Sequence, residues 1–134
     1  MGTISGIKAA SPNKTLGVIW IDAHADIHSP YTSPSGNIHG MPLAAAMGID
    51  NLECQINTPG DITTAHWEGL KNISIQGPKL KSEHLIYFGV RDFEEAEQYA
   101  ITHNNIRLVK VEELRYRGLG ICVQEVIDKL SACE

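Results

Sequence analysis

Cysteine is scarce in this 134-residue chain: Cys54, Cys122 and Cys133 are odd in number, widely spaced and include no Cys-x-x-Cys pair. That usage favours reduced thiols in a cytoplasmic compartment over a disulfide framework. No apolar run is long enough to span a bilayer, and no signal-peptide pattern opens the sequence, which again leads to a cytoplasmic expectation. Excess positive charge is missing too. The formal net charge is −5, which argues against nucleic acid and anionic membranes as partners and agrees, weakly, with a cationic ligand. Neither an internal repeat nor a low-complexity tract is present. The length permits one domain, residues 1–134, and 43% hydrophobic composition suffices for a core.

What the chain does have is concentrated between Leu16 and Pro42, LGVIWIDAHADIHSPYTSPSGNIHGMP. Gly17 to Ile21 is a continuous run of β-formers, suited to a strand of a parallel sheet covered on both faces. Asp22 closes the run, where open α/β sheets place their ligands. Asp22, His24, Asp26 and His28 then alternate, with His39 a short loop away. A continued strand would hold Asp22 and Asp26 about 13 Å apart at roughly 3.3 Å per residue. Metal–ligand bonds of about 2.0–2.2 Å cannot bridge that span. A straight helix fails as well, since positions i and i+2 face apart. If these residues share a ligand, the strand must end near Asp22 and the chain must curl inward. Carboxylates with one imidazole and no thiolate suit a hard or borderline divalent ion such as Mn²⁺. The same residues also read as a capped strand end, with Ser29-Pro30 and Ser33-Pro34 as turn dipeptides.

The DAHADIHSPYTSPSGNIHGMP run resembles the metal and substrate loops of the arginase branch of the ureohydrolases. IYFGVRDFEEAEQY, Ile86 to Tyr99, resembles that family's second substrate segment, and the similarity extends over essentially the whole chain. The resemblance implies an α/β fold of three layers, α/β/α, with a parallel sheet. It implies two Mn²⁺ ions bridging a hydroxide that attacks the guanidinium carbon of L-arginine, yielding L-ornithine and urea. By position Asp22, His24 and Asp26 match metal ligands, Asp26 also belonging to the catalytic centre, and His39 matches the histidine that shuttles protons to the leaving amine. Ser33, Ser35 and Asn37 match the positions that hold the substrate's α-carboxylate, directly or through water. His28 stands where many members carry an amide that contacts substrate. Asp92 and Glu94 match two acidic positions of the second segment; Glu94 is one carbon longer than the aspartate common there, which reaches the α-amino group. Glu97 falls where the family has a glutamate near the guanidinium end. Outside the resemblance, these acids read as the first turn of a helix, favourable for its dipole, and His39 as a loop histidine bonded to backbone. The family's Gly-Gly-Asp-His segment would precede Met1 and its DVDxxDP-like motif would follow Glu134, so the chain resembles the middle of an arginase.

Taken in order, Gly2 to Asn13 reads as a helix end and a turn, Leu16 to Asp22 as the central strand, and Ala23 to His39 as the active loop. Gly40 to Gly48 reads as a short helix, with proline near its start and glycine past its end. A short helix is expected over Thr64 to Lys71, with Trp67 as a packing residue. A second strand spans His84 to Val90, an acidic helix Phe93 to His103, and a third strand Ile106 to Val109. Val111 to Arg117 and Ile121 to Leu130 are helical, with Cys122 and Val126 on a core stripe. Strands alternating with helices give a parallel α/β sheet. Three functions compete: arginine hydrolysis, hydrolysis of another guanidine such as agmatine, or a non-catalytic α/β segment that binds metal or assembles with other chains. The SPSGNIHG loop favours arginine, whose α-carboxylate its hydroxyls and amide suit. A homo-oligomer is expected.

Overall fold

Three apolar stretches separated by helix-forming segments dictate a sheet whose strands all run the same way. In the structure, a computed structural model that describes residues 1–133, these are β1 (Val18–Ile21), β2 (Leu85–Phe88) and β3 (Arg107–Val109). They pair in parallel in the order β1-β2-β3, with Val18 opposite Leu85 and Ile86 opposite Arg107. Parallel neighbours need crossovers: α2 (Pro42–Met47) and α3 (Asp61–Lys71) lie between β1 and β2, and α4 (Glu95–His103) between β2 and β3, while α1 (Gly2–Ala10) precedes the sheet and α5 (Val111–Arg117) and α6 (Leu119–Lys129) follow it.

Side chains alternate across a strand, and two cores result. Leu85 and Tyr87 of β2, with Val18 and Trp20 of β1, pack on one face with Ile4, Trp67, Ala100 and the whole buried run of α2, Leu43 to Met47. Ile86 and Val109 meet Cys122 and Val126 of α6 on the other, with Phe88, Leu114 and Leu130 alongside. Helix, sheet and helix form three layers. Cys122 is fully buried and Trp67 nearly so, both packing residues as expected.

The position of β1 differs from expectation. It is an edge strand, not the central one, and its second face is open: Ile19 is 45% and Ile21 77% exposed. The inner stripe of α6 reaches Ile86 of β2 and Val109 of β3, and among the described residues it leaves the β1 isoleucines on that side largely uncovered. Smaller shifts occur at helix starts. α3 begins at Asp61, three residues before Thr64, with Gly60 extended at its N-cap, and α4 begins at Glu95. α2 keeps both of its punctuation marks, Pro42 at the first turn and Gly48 in the left-handed region at φ 69°. Among the described residues no helix is long and apolar enough to cross a membrane.

Candidate metal and substrate site

β1 and β2 end side by side, and their chains stay together beyond the strands. The amides of Arg91 and Asp92 both donate to the Ala23 carbonyl at 3.0 Å, and His24 forms a parallel bridge with Asp92. The loops that follow the two strands therefore meet at the carboxyl edge of the sheet. There the His24 ring stands between two acids, Nδ1 3.6 Å from Asp22 Oδ1 and Nε2 3.8 Å from Asp92 Oδ2. Both distances exceed a hydrogen bond, and all three side chains are open to solvent. Asp22 also accepts the His24 amide at 3.1 Å, and this bond holds its carboxyl below the ordinary carboxylate range.

The curl demanded by the alternating spacing is present. Tyr87, fully buried on β2, donates its hydroxyl to the Ala25 carbonyl at 2.7 Å. Burial, with Glu97 and Asp26 nearby, holds this phenol far above its usual range, so it remains a donor. The Leu43 amide donates to the Asp26 carbonyl at 3.0 Å, and the His28 amide to Gly40. Asp26 takes a left-handed conformation at φ 50°, one of the few that lets the chain double back while Ala25 and Ile27 point into the core. Its carboxyl is raised above the usual range, first by burial and then by the Asp22 and Glu97 carboxylates, with His24 and His39 offsetting part of the effect.

His28 is held from behind. Its Nδ1 lies 3.1 Å from the Thr32 hydroxyl, which also accepts the Ser29 amide at 3.0 Å. Its Nε2 is buried without a hydrogen-bond partner and faces Glu94 Oε2 at 3.6 Å and Glu97 Oε2 at 3.8 Å. Glu97 is itself committed: Oε1 accepts the Ile27 amide at 3.3 Å and Oε2 the Glu94 amide at 3.0 Å. The acid at the third position of α4 thus caps that helix and ties the loop to it. Thr32 drew no attention in the sequence. A threonine four residues after a histidine carries no signal until a turn brings the two together.

The remaining loop residues serve the turn first. Ser33, almost fully buried, accepts the Gly36 amide at 3.0 Å, and Ser35 accepts that of Asn37 at 3.3 Å. Asn37 and His39 are exposed, His39 within a single 3₁₀ turn, Ile38–Gly40. The structure therefore sets Asp22 and Asp92 on either side of His24 at the sheet edge, and Glu94 and Glu97 opposite His28, with Asp26 in electrostatic reach of Asp22, His24 and Glu97. It places Ser33, Ser35 and Asn37 on the outer arm of the loop. In kind, the donors fit a hard or borderline divalent cation, which would relieve the repulsion and burial that raise Asp26. In geometry they are incomplete, since among the described residues no three His, Cys, Asp or Glu side chains converge on one centre.

The model of the arginase family matches residues 1–134. The chain belongs to the arginase family. It is 36% identical to the arginase of Bacillus subtilis over 134 residues, all of this chain and 39% of that protein. The arginase of Bacillus caldovelox is also 36% identical, over 95% of this chain and 36% of its own length. A crystal structure of Entamoeba histolytica arginase, solved in complex with L-ornithine, superposes with a TM-score of 0.79 at 30% identity. It covers 98% of this chain and 39% of the Entamoeba chain. This arginase-family chain thus spans about two fifths of the length of the arginases it matches. The α/β arginase-like fold expected from the sequence is the fold observed.

Proposed function

We propose that this chain carries part of the active site of an arginase, a hydrolase that cleaves L-arginine to L-ornithine and urea with Mn²⁺. One observation carries the reading: Asp22 and His24, two of the arginase-like metal positions, stand at the carboxyl edge of a parallel sheet with Asp92 beside them, and Asp26, the third, is within electrostatic reach of both. In that role Asp22, His24 and Asp26 hold the ions, which when bound supply an activated water and charge stabilisation. His39 carries the proton to the leaving amine. Glu94 receives the substrate's α-amino group, Asp92 is a further acid of the substrate segment beside His24, and His28, locked by Thr32, lines the Glu94 end of the site. Ser33 and Ser35 accept amides in their turns, which leaves each hydroxyl hydrogen free to donate to a carboxylate. Asn37 supplies an amide at the same end. Two carboxylate-directed donors favour arginine over a decarboxylated guanidine.

A second reading, a segment that binds one ion weakly without turnover, is favoured by the lack of three converging donors among the described residues. Urea release from L-arginine by the purified chain with added Mn²⁺, beside Asp26→Ala, separates the two. Turnover lost in the variant supports the first. Its absence, with weak Mn²⁺ binding in calorimetry that Asp26→Ala abolishes, leaves the residues as donors and assigns the reaction to a longer arginase.

A further inference from the structure

A cleft of about 640 Å³ lies between residues 30–41, with Ser33 and Ser35 among its lining, and helix α3. Its walls are apolar, with Pro34, Ile38 and Met41 facing Trp67, Leu70 and Ile73. Thr63 and His66 recur on the same face of α3 and add a hydroxyl and an imidazole. None of the lining residues is Asp, Glu, Lys or Arg. Size, apolar lining and a few polar groups are the marks of a small-molecule site, and the missing charge fixes the kind of molecule: a charged one would lose its hydration with no counter-charge in return.

The walls are braced without any occupant. The Asn57 side-chain amide donates to the carbonyls of Pro30 (3.2 Å) and Ser33 (2.7 Å), fastening one wall to the loop. Trp67 Nε1 and Lys71 Nζ both bond Asp50 Oδ1, at 2.7 and 2.8 Å, and the Ser29 hydroxyl bonds the Asp50 carbonyl at 2.5 Å. Asp50 therefore ties α3 to the base of the same loop. A cleft held open in this way loses little ordering entropy on binding. We propose that it is a binding site for an uncharged, largely apolar small molecule, distinct from the metal-donor edge, and that its occupant touches the loop carrying Ser33 and Ser35. The site stands whether or not the chain hydrolyses arginine.

Nile red, an uncharged apolar dye, is the probe. A Cβ added at Gly69, which lines the cleft, meets no atom within 4 Å, so Gly69→Phe fills space there and removes a helix-weakening glycine. Thr63→Phe, at an exposed position of the same helix, fills it independently. The wild-type chain should give saturable dye fluorescence and shift the Gly36 and Ile38 amide resonances. Both filled variants, folded by circular dichroism, should bind at least about tenfold more weakly, while Ile21→Lys on the open sheet face should bind as wild type. Unsaturable binding, equal affinity in both filled variants, or loss in Ile21→Lys would overturn the site.

Discussion

Asp26 is where folding and chemistry pull apart. Its backbone turns left-handed so that Ala25 and Ile27 can bury, and its carboxyl is then partly desolvated beside Asp22 and Glu97. Asparagine tolerates that conformation and removes the charge. Asp26→Asn should therefore stabilise the metal-free chain by about 1 kcal/mol and abolish any rise in melting temperature on adding Mn²⁺. Thermal melts with and without the ion test both halves, and a less stable metal-free variant would refute the account. At this scale the curl was legible in the sequence, because alternating acids and imidazoles after a buried run can share a ligand only if the chain turns back. The supports were hidden. Thr32 behind His28, and Glu97 beneath the loop, acquire their roles from turns and tertiary pairing that local spacing does not encode.

Glu97 makes the start of α4 and the site loop one unit. It is 6% exposed and accepts two amides, from Ile27 and Glu94. Glu97→Ala leaves both donors without it and should cost about 2–3 kcal/mol in urea denaturation, with Glu97→Gln costing less because it keeps an acceptor. Equal losses in the two variants would mean that the hydrogen bonds are not the cause. At the opposite end of the elements, Glu113 of α5 bridges Arg107 of β3 and Arg117, while Glu125 of α6 meets the same two arginines. Hydrogen bonds from Arg107 above all hold the Glu113 carboxyl at about 2, below its ordinary 4.5. A depressed folded value means stability present above 4.5 and lost as pH falls toward 2. Glu113→Gln should thus be less stable than wild type at pH ~7, and the gap should close across that acid window. Denaturation at several pH values measures it; a gap that persists unchanged at the acid end would rule out the carboxylate as its source. The kinds and order of the elements were legible, because apolar runs, Pro42 and Gly48 mark them locally. That β1 lies at an edge was not, since its apolar run suits a strand with two neighbours equally well, and neighbours are chosen by distant segments.

The whole molecule carries more apolar surface than its two cores use. Ile19 and Ile21 stand open on β1, and Leu119, Ile121 and Ile127 are each more than half exposed on α6 while Cys122 and Val126 of the same helix face inward. A helix apolar over so much of its circumference is suited to burial on two sides. β1 adds a strand edge that pairs only with β2 among the described residues, a template for pairing with another chain. The chain should therefore self-associate through this side in a concentration-dependent way, which is the physical content of the expected homo-oligomer. Ile21→Lys combined with Ile127→Lys puts charge on the strand and on the helix without touching either core, and should shift the population toward monomer with the circular dichroism spectrum unchanged. Light scattering across a hundredfold range of concentration, on the order of micromolar upward, reads the effect where such association is expected. If the wild-type chain stayed a monodisperse monomer throughout, the open face would be tolerated in water as it stands, and the oligomer would have to be sought elsewhere on the molecule or given up.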